Sequence, residues 1–214
     1  VPKGGKSKKP STTPAAATTP GSTSTCPNSC GTPTPSGNGG STTVQVDRAN
    51  KKVTIKTKME YSGPDADQKY ADYAKKEIED TWKGKTTIDG QEYDVVTEIE
   101  TKVRPAADPP TAGYDQITVD GSTTRMSQSL WGKGKGSQTP AAMQPDRRRI
   151  AHEYGHTLGL PDEYHDDPKT GAYTKNDPSK KNNIMSATWK EDGKFPGPYP
   201  EHFQQVLKSH GCTK

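Results

Sequence analysis

The most regular feature of the chain is an alternation. Val53, Ile55, Thr57, Met59 and Tyr61 fall between Thr54, Lys56, Lys58 and Glu60. A period of two sends the first set to one face of a β-strand and the second to the other. Residues 44–61 therefore read as a hairpin whose turn comes from Asp47 to Lys51. The period then changes. Ala66, Tyr70, Tyr73, Ala74, Ile78 and Trp82 recur at three and four, the apolar stripe of an amphipathic helix over 65–82 that Gly84 ends. Tyr93, Val95, Thr97, Ile99, Thr101 and Val103 restore the strand period as far as Arg104-Pro105. A proline-rich loop follows, then a short strand over 116–119. A polar, glycine-bordered stretch over 121–131 suits a sheet edge, where an extended peptide can pair by its backbone.

Pro145-Asp146 is a plausible helix start, with negative charge near the N-terminus. Ile150, Ala151, Tyr154 and Leu158 form the buried side of that helix, and Arg147, Arg148 and Arg149 a solvated face. Residues 163–183 read as a long polar loop. A Pro/Gly-rich turn leads into a closing helix over 201–210 carrying Phe203, Val206 and Leu207. The sum is a small α+β domain with a twisted mixed sheet, its cleft between the sheet edge and the second helix.

Composition changes this picture at one end. The apolar fraction is 26%, but residues 1–43, rich in Ser, Thr, Pro, Gly and Ala, supply almost none of it and read as a disordered linker. Residues 44–214 are then the folded domain. Lys3, Lys6, Lys8 and Lys9 precede any acidic residue and equal the formal net charge of +4, so the domain itself is balanced. That argues against a nucleic-acid partner. No stretch is long and apolar enough to span a membrane, and no signal-peptide core is present. The start at Val1 rather than Met is what a piece of a longer fused polypeptide would show; by itself the domain reads as a monomer. Cys26, Cys30 and Cys212 cannot all pair, and either tail cysteine could join Cys212. Asp166, Asp167 and Asp177 lack the regular oxygen spacing of a calcium loop.

The chemistry lies in His152-Glu153-Tyr154-Gly155-His156-Thr157-Leu158-Gly159-Leu160-Pro161-Asp162. Histidines at i and i+4 share one helix face and can reach one cation. Zinc accepts such nitrogens, and a catalytic site keeps one position open for water. Glu153, beside the first histidine, is the natural general base. Gly159 suits the left-handed turn that ends a helix, and Pro161 stops it resuming. Asp162 can then return as third ligand, with Glu163, His165 and Glu201 as rivals.

This run resembles the extended motif of the metzincin zinc metallopeptidases in its H-E-x-x-H-x-x-G-x-x-D form, and Asn183-Ile184-Met185-Ser186 is similar to that family's methionine turn beneath the metal. The segment also resembles metallopeptidase toxin domains appended to bacterial secretion-system proteins. The resemblance covers about residues 145–210. It implies a metzincin-like zincin fold, a zinc-dependent endopeptidase acting on protein or peptide substrates, and secretion or delivery outside the producing cell. Some relatives carry a metal-facing tyrosine two residues after the methionine. Ala187 stands there, which leaves that role to Tyr199 or His202. Cys30-Gly31-Thr32-Pro33 faintly resembles the inhibitory cysteine switch of matrix metalloproteinase prodomains. A rival reading from another class is a non-catalytic, metal-stabilised binding or toxin module, which would close the site with a fourth protein ligand. A third keeps the chemistry and changes the substrate to bacterial wall peptides.

Overall fold

The alternating run at 53–61 becomes the spine of a seven-stranded mixed sheet. The computed structural model describes residues 29–35, 41–123, 126–132, 144–167, 169–170, 172–186, 194 and 196–213, without the side chains of 29–35, 41 and 144–147. Its elements are β1 (Ser29–Pro35), β2 (Ser41–Asp47), β3 (Lys52–Ser62), α1 (Gln68–Thr81), β4 (Gly84–Ile88), β5 (Gln91–Val103), β6 (Asp115–Val119), β7 (Leu130–Trp131), α2 (Gln144–Thr157), β8 (Tyr164–Asp166), β9 (Tyr173–Lys175) and α3 (Pro200–Ser209). No helix among the described residues is long and apolar enough to cross a membrane.

β3 pairs in parallel with β5 along one edge. Its other edge is shared in succession by β2, antiparallel, and β6, parallel. Val53, Ile55, Thr57, Met59 and Tyr61 are all buried on the inner face. On the outer face Lys56 lies opposite Glu98, Lys58 opposite Glu100 and Glu60 opposite Lys102. The first two pairs close to 3.1 Å. Exposed pairs of this kind contribute little energy each. A slip of two residues would set Lys58 opposite Lys102 or Glu60 opposite Glu100, however, so the ladder favours the observed register.

α1 begins on Asp67, whose carboxylate accepts from the Tyr70 N–H at 2.7 Å, and buries Tyr70, Ala71, Ala74 and Ile78. Beyond the reach of β4, the edge of β5 is answered by this helix: Lys75 Nζ donates to the Ile99 carbonyl at 2.6 Å and the Ile99 N–H donates to Glu79 at 2.9 Å. Trp82 joins all three helices. Its Nε1 donates to the Ala151 carbonyl at 2.7 Å, and its ring meets Tyr154 and Phe203 edge-on.

Five expectations change, the first being that β8 and β9 pair as a hairpin within the stretch read as a polar loop. Ser29–Pro35 pairs with β2, so the sheet reaches into the stretch read as linker; a ladder of backbone hydrogen bonds needs no apolar side chains. Gly84 opens β4, and the hairpin from β4 to β5 turns through Asp89 (φ 51) and Gly90 (φ 75), the pair of left-handed residues that Asp-Gly favours. Among the described residues the expected edge strand over 121–131 is limited to β7, and a tight turn links Ser127 and Leu130. Arg148 is half-buried rather than solvated and donates to Thr81 Oγ1 at 2.9 Å, tying α2 to α1.

Between β5 and β6 the chain must cross the end of β3. Glu60, fully buried, holds that crossing by accepting from Arg104 Nε at 2.8 Å and from the Thr111 N–H at 3.1 Å. Burial alone would push this carboxyl up. The Thr111 side-chain and backbone hydrogen bonds, with Arg104, instead hold it at about 2. Because the folded pKa lies below the ordinary value of 4.5, the stabilisation is complete above that value and is lost as pH falls toward 2. Glu60→Gln is expected to cost about 3 kcal/mol at neutral pH, a difference that shrinks in urea melts run below pH 4.5. Equal stability of the two proteins at pH 7 would contradict this account.

Candidate metal centre

α2 is seated by its apolar side and by one buried polar chain. Ile150, Ala151, Tyr154 and Leu158 are all in the core. The Tyr154 hydroxyl lies 2.9 Å from Thr57 Oγ1, itself 2.9 Å from Thr42 Oγ1. Burial pushes the Tyr154 phenol far above its usual range, so it stays a neutral hydroxyl. This anchors the helix to β3 and β2 and turns His152 and His156 toward the opposite side.

The helix ends as the glycine signal implies. Gly159 has φ 84, and no atom stands within 4 Å of where a Cβ would sit, so its role is backbone conformation rather than space. The N–H of Leu160 returns to the Gly155 carbonyl at 3.1 Å. That turn sets the Leu160 carbonyl 2.8 Å from His156 Nδ1, while the Ile184 carbonyl lies 2.7 Å from His152 Nδ1. A carbonyl only accepts, so each Nδ1 carries the proton and each Nε2 is left with a lone pair.

Both lone pairs converge on Asp162. Its Oδ1 lies 3.1 Å from His152 Nε2 and 3.3 Å from His156 Nε2. A tetrahedral ion with bonds of about 2.1 Å separates its ligands by about 3.4 Å, so the carboxylate oxygen already stands nearly at a metal's spacing from each nitrogen. They form one group able to hold a metal ion. Burial disfavours the charged form of His152, but hydrogen bonds to Asp162 and Ile184 and the nearby Glu153 raise its pKa overall. Burial likewise opposes ionisation of Asp162, and the two histidines hold it down. The cluster attracts positive charge, so protons and a metal ion compete for it. Glu153 is 7% exposed on the same helix.

The rivals for the third place lie elsewhere. Glu163 accepts from Asn183 Nδ2 at 2.7 Å and lies 2.9 Å from His202 Nε2. His165 is exposed on the hairpin of β8 and β9, with Nδ1 3.4 Å from Asn176. Glu201 is exposed in the first turn of α3. Tyr199 donates to the Lys181 carbonyl at 2.6 Å. Asp167 and Asp177 close local turns by accepting from backbone N–H groups. Ala187 and residues 1–28 lie outside the described residues.

Sequence reasoning missed Gly155. A Cβ there would meet Met185 Sδ at 2.3 Å, Met185 Cε at 3.0 Å and Trp82 Cζ2 at 3.0 Å. The fully buried Met185 lies directly beneath the helix backbone between the two histidines. The signal was in the sequence, as a glycine inside an otherwise helical motif.

Residues 111–211 match the family model described as the immune inhibitor A peptidase M6 catalytic domain. The matched span includes α2, Asp162, Met185 and α3, and the match indicates a zinc-using metallopeptidase hydrolase. No curated protein and no solved structure gives a match.

Gly155→Ala is expected to destabilise the fold by about 1–3 kcal/mol through overpacking, read as a lower denaturation midpoint. Unchanged stability would mean that Met185 has somewhere else to go.

Proposed function

We propose that the protein is a zinc-dependent endopeptidase with a metzincin-type centre, in which His152, His156 and Asp162 are the ligands and Glu153 is the general base. The observation that carries the proposal is the convergence of both Nε2 atoms on one Oδ1, at 3.1 and 3.3 Å, with all three atoms within 4.8 Å of one another and both Nδ1 atoms already committed to carbonyls. Zinc held there would polarise the scissile carbonyl and make attacking water more acidic. The rest falls to the chain. Glu153 takes the proton from the attacking water and delivers it to the leaving amine. The low exposure of Glu153 favours proton transfer over solvation of its charge.

Among the described residues the group has three members, where a purely structural zinc site would normally close with four protein ligands. This favours turnover over the non-catalytic module. The Asp162 side chain is 43% exposed, so the cleft is open on its side. Gln128 Nε2 donates to the His156 carbonyl at 3.4 Å, which sets the turn before β7 beside the metal ligands, where an extended peptide would lie. Met185 beneath α2 supports the metzincin reading. Cys212 is disulfide-bonded, which suits an oxidising compartment and hence a peptidase or effector delivered outside the producing cell.

The decisive test follows cleavage of an unstructured protein alongside zinc content. Wild-type activity should vanish with a chelator and return with zinc. Glu153→Gln should keep its zinc and lose about 10²–10⁴-fold in rate. Wild-type cleavage by a zinc-loaded Glu153→Gln protein would remove the base from the mechanism. A zinc-loaded wild type that cleaves nothing would favour the binding module.

A further inference from the structure

We propose that Glu163 is a positioning residue: it holds the Asp162 backbone where its carboxylate meets the two histidines, and does so by bridging the methionine turn and α3. The inference rests on the zinc reading above. Glu163 is tied at four points. Its N–H donates to the Met185 carbonyl at 2.8 Å and its carbonyl accepts from Asn176 N–H at 2.9 Å. Its Oε2 accepts from Asn183 Nδ2 at 2.7 Å, and its Oε1 lies 2.9 Å from His202 Nε2.

Both partners of the carboxylate are fixed in turn. Asn183 is 1% exposed and its Oδ1 accepts from the Met185 N–H at 2.9 Å, so its NH₂ group must face Glu163. His202 is 2% exposed and its Nδ1 accepts from the Tyr199 N–H at 3.0 Å. The ring proton is therefore on Nε2 and donates to Glu163. Two donors of settled orientation face one residue, and a carboxylate is the side chain that accepts from both.

Among the described residues Asp162 has no comparable backbone support. It follows a glycine turn and precedes a three-residue strand, and its half-exposed carboxylate meets the two imidazoles that it is to join in holding an ion. A ligand on a free segment would be ordered at the moment of binding, at a cost in entropy. Anchoring the next residue to buried groups removes much of that cost beforehand, as outer partners of metal ligands commonly do.

Glu163→Gln tests this with little change in shape. The glutamine offers one oxygen and one NH₂, so either Asn183 or His202 must face a donor. Neither can adjust without giving up the Met185 or Tyr199 N–H. Zinc affinity of the full chain, measured by competition with a chromogenic chelator, is expected to fall about 10–100-fold. In an Asp162→Ala background the same substitution should produce no further loss. Adding Asn183→Asp to Glu163→Gln supplies an acceptor for the new NH₂ group and should recover most of the lost affinity. Thermal melts of the metal-free proteins report separately any effect on the fold. An undiminished affinity in Glu163→Gln, an equal loss in both backgrounds, or no recovery with Asn183→Asp overturns the inference while leaving the ligand assignment intact. Wild-type affinity in Asp162→Ala alone overturns the ligand assignment, and this inference with it.

Discussion

Where the backbone of α2 passes over Met185 at Gly155 there is no room for a single additional carbon atom. The surrounding arrangement depends on that contact. Trp82 closes the same gap from α1 and hydrogen-bonds to the α2 backbone, and the turn holding Met185 lends the Ile184 carbonyl to His152 and the Met185 carbonyl to Glu163. Protein interiors resist small changes in volume. The contact limits how closely the helix approaches the methionine turn, and with it the position from which the histidines meet the returning aspartate.

The two histidines were legible in the sequence because four residues equal one helical turn, and Asp162 because Gly159 and Pro161 mark where the chain must reverse. The strands at 53–61 and 93–103 and the helix at 65–82 were legible for the same reason, a sustained period. Less was visible where structure rests on groups without periodicity. β8 and β9 have three residues each, too few to show alternation, and β1 is built from polar and small residues. The signal for β4 lies only in Asp89-Gly90, because five residues show little alternation. Arg148 looked like one of three solvated cations, since nothing in its neighbours announces that α1 lies within reach. Glu163 could be read only as a rival to Asp162; its actual partners, Asn183 and His202, are distant in sequence and adjacent only once α3 has closed.

The sheet shows how polar residues can specify a fold without contributing much energy. Its inner face is mostly apolar, and there a shift of two residues is opposed chiefly by the buried contact of Thr57 with Tyr154. The outer ladder adds to this, because the same shift sets Lys58 opposite Lys102 or Glu60 opposite Glu100. Buried Glu60 adds a second constraint at the end of β3, where the chain crosses over to begin β6. β2 and β6 occupy the same edge of β3 one after the other, so an error of register there would displace both the first strands and the strand that leads toward the metal ligands.

The flank of β5 beyond β4 carries a different consequence. A strand whose amide and carbonyl groups point outward is a template on which unfolded chains can stack into fibrils. At Ile99 both groups are already occupied by Lys75 and Glu79 from the overlying helix. A passing segment would have to displace an ammonium and a carboxylate before forming its first bond there. Strand addition at Ile99 is thereby disfavoured without the proline or bulge that other sheets use.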